Sequence, residues 1–279
     1  MTDTDALATL LILASALLHA SWNAATKRAE NKLATIAFMS IFGSLLYIPL
    51  VPFFPLPTGM MWAFILASVI THIVYQLALA RALEFGDLTF VYPIARGLGP
   101  LLVGIFSLVF LSGALNLPEF LAVLVLVSGI FLTIGARAGN RKAFMAAVIC
   151  GLMIASYTLV DGFAVKSVDE PMIFIIWGAL TFSPIFATFL TLTHGRGFLL
   201  DSLRTWRVSL PIALVAQSGY ALALYALSLG DIGEIAALRE TSIVFATLIG
   251  VLWLKEKIST QKLVAVLLIA VGAISLKLV

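Results

Sequence analysis

Apolar and polar positions alternate along this chain in long blocks. Ten apolar runs of about 20 residues cover residues 6–26, 34–54, 59–83, 88–111 and 118–136, then 143–165, 171–193, 208–229, 233–254 and 261–278. At ~1.5 Å of rise per residue, a helix of that length crosses the roughly 30 Å hydrocarbon core of a bilayer. The pattern predicts an all-α integral membrane protein with ten transmembrane helices. The breaks are short, and the longest, residues 194–207, has no room for a soluble domain. The first run follows Asp3 and Asp5 with no Lys or Arg before it, and it outlasts the apolar core of a signal peptide. It therefore reads as a retained helix.

The runs fall into two sets of five, residues 1–138 and 139–279. Ala82, Leu83, Gly86 and Asp87 match Ala226, Leu227, Gly230 and Asp231 at a constant offset. Leu121-Ala122-Val123-Leu124 resembles Val264-Ala265-Val266-Leu267, and Ala20-Ser21-Trp22-Asn23 resembles Ala155-Ser156-Tyr157-Thr158. The matches occur in the order a repeat demands. An odd number of helices per repeat makes the halves cross the membrane in opposite senses. Two inverted five-helix repeats, with a site near the midplane where they meet, are the plan of many secondary transporters.

Composition and charge sharpen this picture. Hydrophobic residues make up 62% of the chain and charged ones 11%, far from the balance of a soluble domain. A lone cysteine, Cys150, excludes an intrachain disulfide and a thiolate metal cluster. The net charge of +3 matters less than its placement. Most Lys and Arg residues in the breaks, from Lys27, Arg28 and Lys32 to Arg204, Arg207 and Lys262, fall on one side, against Lys166 and Lys277 on the other. Basic residues mark the cytoplasmic face, so both termini are expected outside the cytoplasm and the link at 137–142 inside.

Polar residues within the runs are unevenly spread. The third run carries Ser68, Thr71, His72, Tyr75 and Gln76 at spacings of three and four, one helical stripe. The first carries Ser15, His19, Trp22 and Thr26, with Asn23 beside them, and the fourth carries Tyr92, Arg96 and Gly99. Tyr157, Thr158 and Asp161 lie in the sixth, Gln217 and Tyr220 in the eighth, and Arg239-Glu240-Thr241 in the ninth. The fifth and tenth runs are almost wholly aliphatic, and the second and seventh hold scattered hydroxyls that can bond back to their own helix. Helices 1, 3, 4, 6, 8 and 9 are expected to line a cavity, while 2, 5, 7 and 10 face lipid or brace the outside.

An ionisable group at lipid depth costs about 2.5–3.5 kcal/mol on insertion scales, so each one needs a reason. Counting residues puts Arg239 and Asp161 roughly 8–9 Å deep from the same side. They are placed to pair across helices, either as a structural ion pair or as part of a substrate site. Arg96 lies about 12 Å from the opposite face. That leaves a gap to Glu240 for a substrate or water to bridge, unless the arginine stem snorkels outward. Glu240 is the carboxylate best placed to take a coupling proton or a substrate amine. His19 and His72 have no Cys, Asp or Glu at ligand spacing, which favours packing over metal binding, and no cofactor is implied. Trp22, Tyr75, Tyr92, Tyr157 and Tyr220 either pack or ring a small amphipathic solute.

Several motifs add to this reading. Ala20-Ser21-Trp22-Asn23 closes the first run, and Tyr92-Pro93, Ala95-Arg96-Gly97 and Pro100 occupy the fourth. Arg239-Glu240-Thr241 and Leu254-Lys255-Glu256-Lys257 precede a last aliphatic run containing Gly272. In this order, and across essentially the whole chain, the set resembles the EamA-type ten-helix transporters of the drug/metabolite transporter superfamily. The resemblance implies export, less often import, of small metabolites by an ion-coupled or facilitated route. It also implies a central cavity framed by helices 1, 3, 4, 6, 8 and 9. Ser112-Gly113-Ala114 departs from the family, which often places a Gly-Glu pair after the fourth helix.

The expected function is a secondary transporter of the bacterial inner membrane, exporting amino acids or organic anions by alternating access with proton coupling. Arg96 and Arg239 would attract acidic groups and Glu240 a proton or amine. Asn23, His72, Tyr75, Gln76, Tyr92, Tyr157, Asp161, Gln217 and Tyr220 complete the expected site. The partners are a small-molecule substrate and the lipid bilayer, with a homodimer allowed and no nucleic acid. No Gly-x-x-x-x-Gly-Lys-Ser/Thr loop is present for direct ATP drive. Neither a His-Glu-x-x-His pattern nor a Gly-x-Ser-x-Gly elbow points to an enzyme. A receptor that binds without flux has no need of two inverted halves.

Overall fold

A computed structural model gives the architecture and describes residues 3–30, 32–85, 88–111, 116–132, 140–253 and 258–278. Gly86 and Asp87 of the repeat match, Ser112-Gly113-Ala114, Arg137 and Leu254-Lys255-Glu256-Lys257 lie outside the described residues. The first half contains α1 (Asp3–Arg28), α2 (Lys32–Phe42), α3 (Met60–Phe85), α4 (Leu88–Phe110) and α5 (Leu117–Leu132). The second contains α6 (Arg141–Lys166), α7 (Met172–His194), α8 (Arg196–Arg204), α9 (Trp206–Leu229), α10 (Ile232–Arg239), α11 (Ser242–Leu252) and α12 (Thr260–Leu278). No strand occurs among the described residues. Seven stretches are long and apolar enough to cross a membrane, and three shorter apolar helices, Ile94–Ser107, Leu117–Leu132 and Thr260–Ser275, occupy the fourth, fifth and tenth runs.

Two of the predicted helices do not run through. After Phe42 the second run tightens into a 3-10 stretch, Gly43–Phe53. Pro49 and Pro52 lack the amide that an α-helix requires there, and the Ser44 hydroxyl donates to the Ile41 carbonyl at 2.7 Å. The ninth run divides into α10 and α11 at Glu240-Thr241. The amides of Glu240 and Thr241 donate three residues back, to Ala237 and Leu238, at 3.0 and 3.1 Å. Such a tight turn inside a helix is a recurrent mark of a hinge or of local strain. Residues 194–207 are not plain loop either, since α8 sits there against α2 and α7.

The halves interlock in pairs that exchange when one half is swapped for the other. α1 packs along α9 as α6 packs along α3, and α2 meets α9 as α7 meets α3. α5 and α12 pair with each other. Ile12, Ile65, Phe174, Leu224 and Ile235 fill the centre of the bundle and are almost inaccessible. Lipid gives helices no hydrophobic reason to associate, so close backbone approach matters more than in water. At the α5–α12 crossing, a Cβ on Gly272 would lie 2.5 Å from the Leu126 nitrogen, and one on Gly129 would lie 2.7 Å from the Ala265 carbonyl oxygen. Gly272→Ala is therefore expected to cost about 1–3 kcal/mol, read as a lower unfolding temperature in detergent. Gly178→Ala, whose Cβ has nothing within 4 Å, should cause no such loss.

Candidate functional site

A cavity of about 220 Å³ lies where α1, α2, α3, α6, α7 and α9 converge on the end of α10. That is somewhat below the roughly 300–1,000 Å³ of pockets for drug-sized ligands, a volume suited to a small metabolite. His72, Tyr75, Gln76, Tyr157, Gln217, Tyr220 and Arg239 stand on its wall. Much of that wall is one aromatic cluster. The His72 ring stacks on Tyr157 with centroids 4.1 Å apart and meets Tyr220 edge-on at 5.8 Å, while Tyr75 meets Tyr157 edge-on at 5.7 Å. These are favourable aromatic geometries that also hold the rings in place.

Behind the cluster lies Asp161, 1% exposed. Its Oδ2 accepts a hydrogen bond from the Tyr220 hydroxyl at 2.8 Å and stands 4.0 Å from His72 Nε2. Its Oδ1 is buried and has no hydrogen-bond partner among the described residues. The tautomer of His72 follows from its other nitrogen. Nδ1 lies 2.9 Å from the Ser68 carbonyl oxygen, which can only accept, so Nδ1 carries the hydrogen. Nε2 is the ring nitrogen turned towards the Asp161 carboxylate.

Arg239 is the last residue of α10, a short helix built to hold it. Asp231 caps the start, its Oδ1 accepting from the amides of Gly233 and Glu234 at 2.8 and 3.0 Å. Burial raises the Asp231 carboxyl above its ordinary range, with the two capping amides and Lys166 pulling the other way. At the far end, the unpaired carbonyls of the helix terminus favour a cation. Among the described residues, Arg239 Nε is buried with no hydrogen-bond partner and the side chain has no ion-pair partner. A guanidinium on a cavity wall with donors to spare can receive a carboxylate or phosphate.

Glu240 follows in sequence but serves another place. Arg96 Nε donates to its Oε2 at 3.0 Å, Arg96 Nη2 lies 2.9 Å from its Oε1, and Nη2 also donates to the Ser242 hydroxyl at 3.2 Å. Arg96 is 5% and Glu240 2% exposed. This two-pronged pair ties α4 to the α10–α11 turn, beside a recess of about 20 Å³. That recess has room for about one water molecule, so it is no substrate chamber.

A family model described as the EamA-like transporter family matches residues 6–135 and again residues 141–277. The chain belongs to the EamA-like transporter family. It is thus a multi-pass membrane protein of the drug/metabolite transporter superfamily, and both halves carry the family pattern. A crystal structure of another protein superposes with a TM-score of 0.72 over 97% of this chain and 96% of that one, at 20% identity, which is a likeness of fold. A comparison with curated proteins finds no match.

In this EamA-like chain several expectations change. Arg239 and Asp161 do not pair with each other, since Asp161 is held by Tyr220 and faces His72. The gap expected between Arg96 and Glu240 is closed by direct contact. Depth was counted along a straight ninth helix, and the tight turn at Glu240 redirects its carboxylate towards α4. Asn23 does not line the cavity, because its amide donates to the His19 carbonyl one turn back at 2.7 Å. Tyr92 belongs to α4, with its side chain outside the described residues.

The frame of the cavity also differs. Helices assigned to the outside contribute directly: Ser40 from α2, and Phe174, Gly178 and Phe182 from α7. A search for polar stripes overlooks them because they offer small and aromatic groups. Glycine within an aromatic-rich apolar run was the signal available. Among its described residues, α4, expected on the main wall, instead lines the small recess through Arg96 and its neighbours. Gly178→Phe is expected to fill the cavity and abolish any ligand-induced rise in unfolding temperature, leaving the ligand-free value near that of the parent.

Proposed function

We propose that this chain is a secondary transporter that moves a small metabolite, an amino acid or organic anion, outward across a bacterial inner membrane by alternating access. Arg239 carries the reading: a guanidinium with unused donors on the wall of a cavity at the meeting of two interlocked halves. Ten helices in two inverted five-helix repeats account for the paired contacts between α1 and α9 and between α6 and α3. For an anionic substrate, an inside-negative potential assists exit by about 2.3 kcal/mol per charge per 100 mV.

The test is flux into proteoliposomes with a panel of labelled organic acids and amino acids. Saturable flux of at least one compound, lost in Gly178→Phe, is expected. Tight binding without flux in sealed vesicles would replace this reading with that of a receptor.

The coupling proton is assigned to His72 and Asp161, because Arg96 occupies the Glu240 carboxylate on both oxygens. Flux at fixed membrane potential should respond to an imposed pH gradient. The dependence should flatten in Asp161→Asn. A profile unchanged by that substitution removes the pair from coupling.

A further inference from the structure

We infer that the solute is a monoanion with a flat, apolar body and no ammonium group. The inference rests on the cavity being the transport site and narrows the substrate class that the site accepts. Among the described residues, the cavity wall presents Arg239 and no Asp or Glu. Its other polar groups are hydroxyls, amides and ring edges, which hydrogen-bond a charge without neutralising it. An amino acid brought there would satisfy Arg239 with its carboxylate and bury its ammonium with no counter-charge, close to a guanidinium of the same sign.

Asp161 does not supply the missing carboxylate. It is not on the wall, its Oδ2 is taken by Tyr220, and the same oxygen stands 4.0 Å from the ring of His72, which is on the wall. Glu240 is equally withdrawn, held on both oxygens by Arg96. On the wall itself, among the described residues, Arg239 is the one Lys, Arg, Asp or Glu.

The shape requirement comes from the remaining wall. Trp22, Phe174 and Phe182 join Tyr75, Tyr157 and Tyr220 around the space, so a solute whose acid reaches Arg239 lays the rest of itself against ring faces. Aromatic rings also attract cations, but the Arg239 charge inside the same enclosure opposes that use.

The deciding experiment is thermal unfolding of the detergent-purified full chain with 3-phenylpropionate, propionate, L-phenylalanine and 2-phenylethylamine, converted to apparent dissociation constants. 3-Phenylpropionate is expected to bind at least tenfold more tightly than each of the others, and Arg239→Gln to remove that preference. L-Phenylalanine binding as well as 3-phenylpropionate overturns the exclusion of ammonium. Propionate binding equally well overturns the flat body, and 2-phenylethylamine binding best makes the cavity a cation cage. If none of the four shifts the unfolding temperature, the inference is wrong. Saturable flux of some other solute, blocked by Gly178→Phe, would then show that the transporter reading survives without it.

Discussion

Arg96→Met and Glu240→Leu are each expected to destabilise the protein by about 3–5 kcal/mol, and the double substitution by much less than either. The reason lies in burial. Arg96 and Glu240 satisfy each other through two contacts, at 3.0 and 2.9 Å, with Ser242 taking a further donor of the arginine. Removing one partner leaves a full charge at lipid depth, beside a recess with room for about one water molecule. Removing both exchanges a neutral pair for two apolar side chains of similar bulk, which buried sites tolerate well. Reversible unfolding of the four proteins in one detergent gives the coupling energy directly. Single substitutions that cost less than about 1 kcal/mol would mean that water reaches the pair and that α4 is held to the α10–α11 turn by packing alone.

Arg239→Gln should behave in the opposite way, sparing the fold and removing function. The unpartnered Nε gives this side chain little to lose in stability. A charged hydrogen bond to a ligand contributes about 1.5–3 kcal/mol, so apparent affinity for an anionic substrate should fall roughly ten- to a hundredfold. Arg239→Lys keeps the charge but not the planar fork and should recover part of the loss. Flux and ligand-induced stabilisation measured on the same preparations separate the two effects. A variant that transports normally would take Arg239 out of the site. One that unfolds as readily as Arg96→Met would make it a structural residue. Arg96 differs in being buried against a carboxylate that it already holds.

Much of the cavity wall is legible in the sequence. The stripe of His72, Tyr75 and Gln76 falls on the cavity wall because spacings of three and four put residues on one helical face regardless of what that face meets. Tyr157, Gln217 and Tyr220 lie in the helices that the repeat relates to the first and third. The errors have a common origin in treating each apolar run as a straight rod. The Thr241 hydroxyl, which donates to the Leu238 carbonyl at 2.8 Å, was a local sign that the ninth run bends. The contribution of α7 through Phe174, Gly178 and Phe182 had no polar signature to find.

The sequence by itself determined that the chain is a helical membrane protein in two related halves, with charges buried at chosen depths. Hydropathy and repetition are properties of neighbouring residues, and a bilayer turns them into helices because it leaves backbone groups no partner but each other. Only the tertiary structure decided that Arg96 neutralises Glu240, that Asp161 withdraws behind Tyr220 and His72, and that Arg239 is left to face the cavity. Those choices depend on a turn of two residues between α10 and α11 and on which helix lies opposite it. A contact between residues 144 positions apart is set by that three-dimensional arrangement.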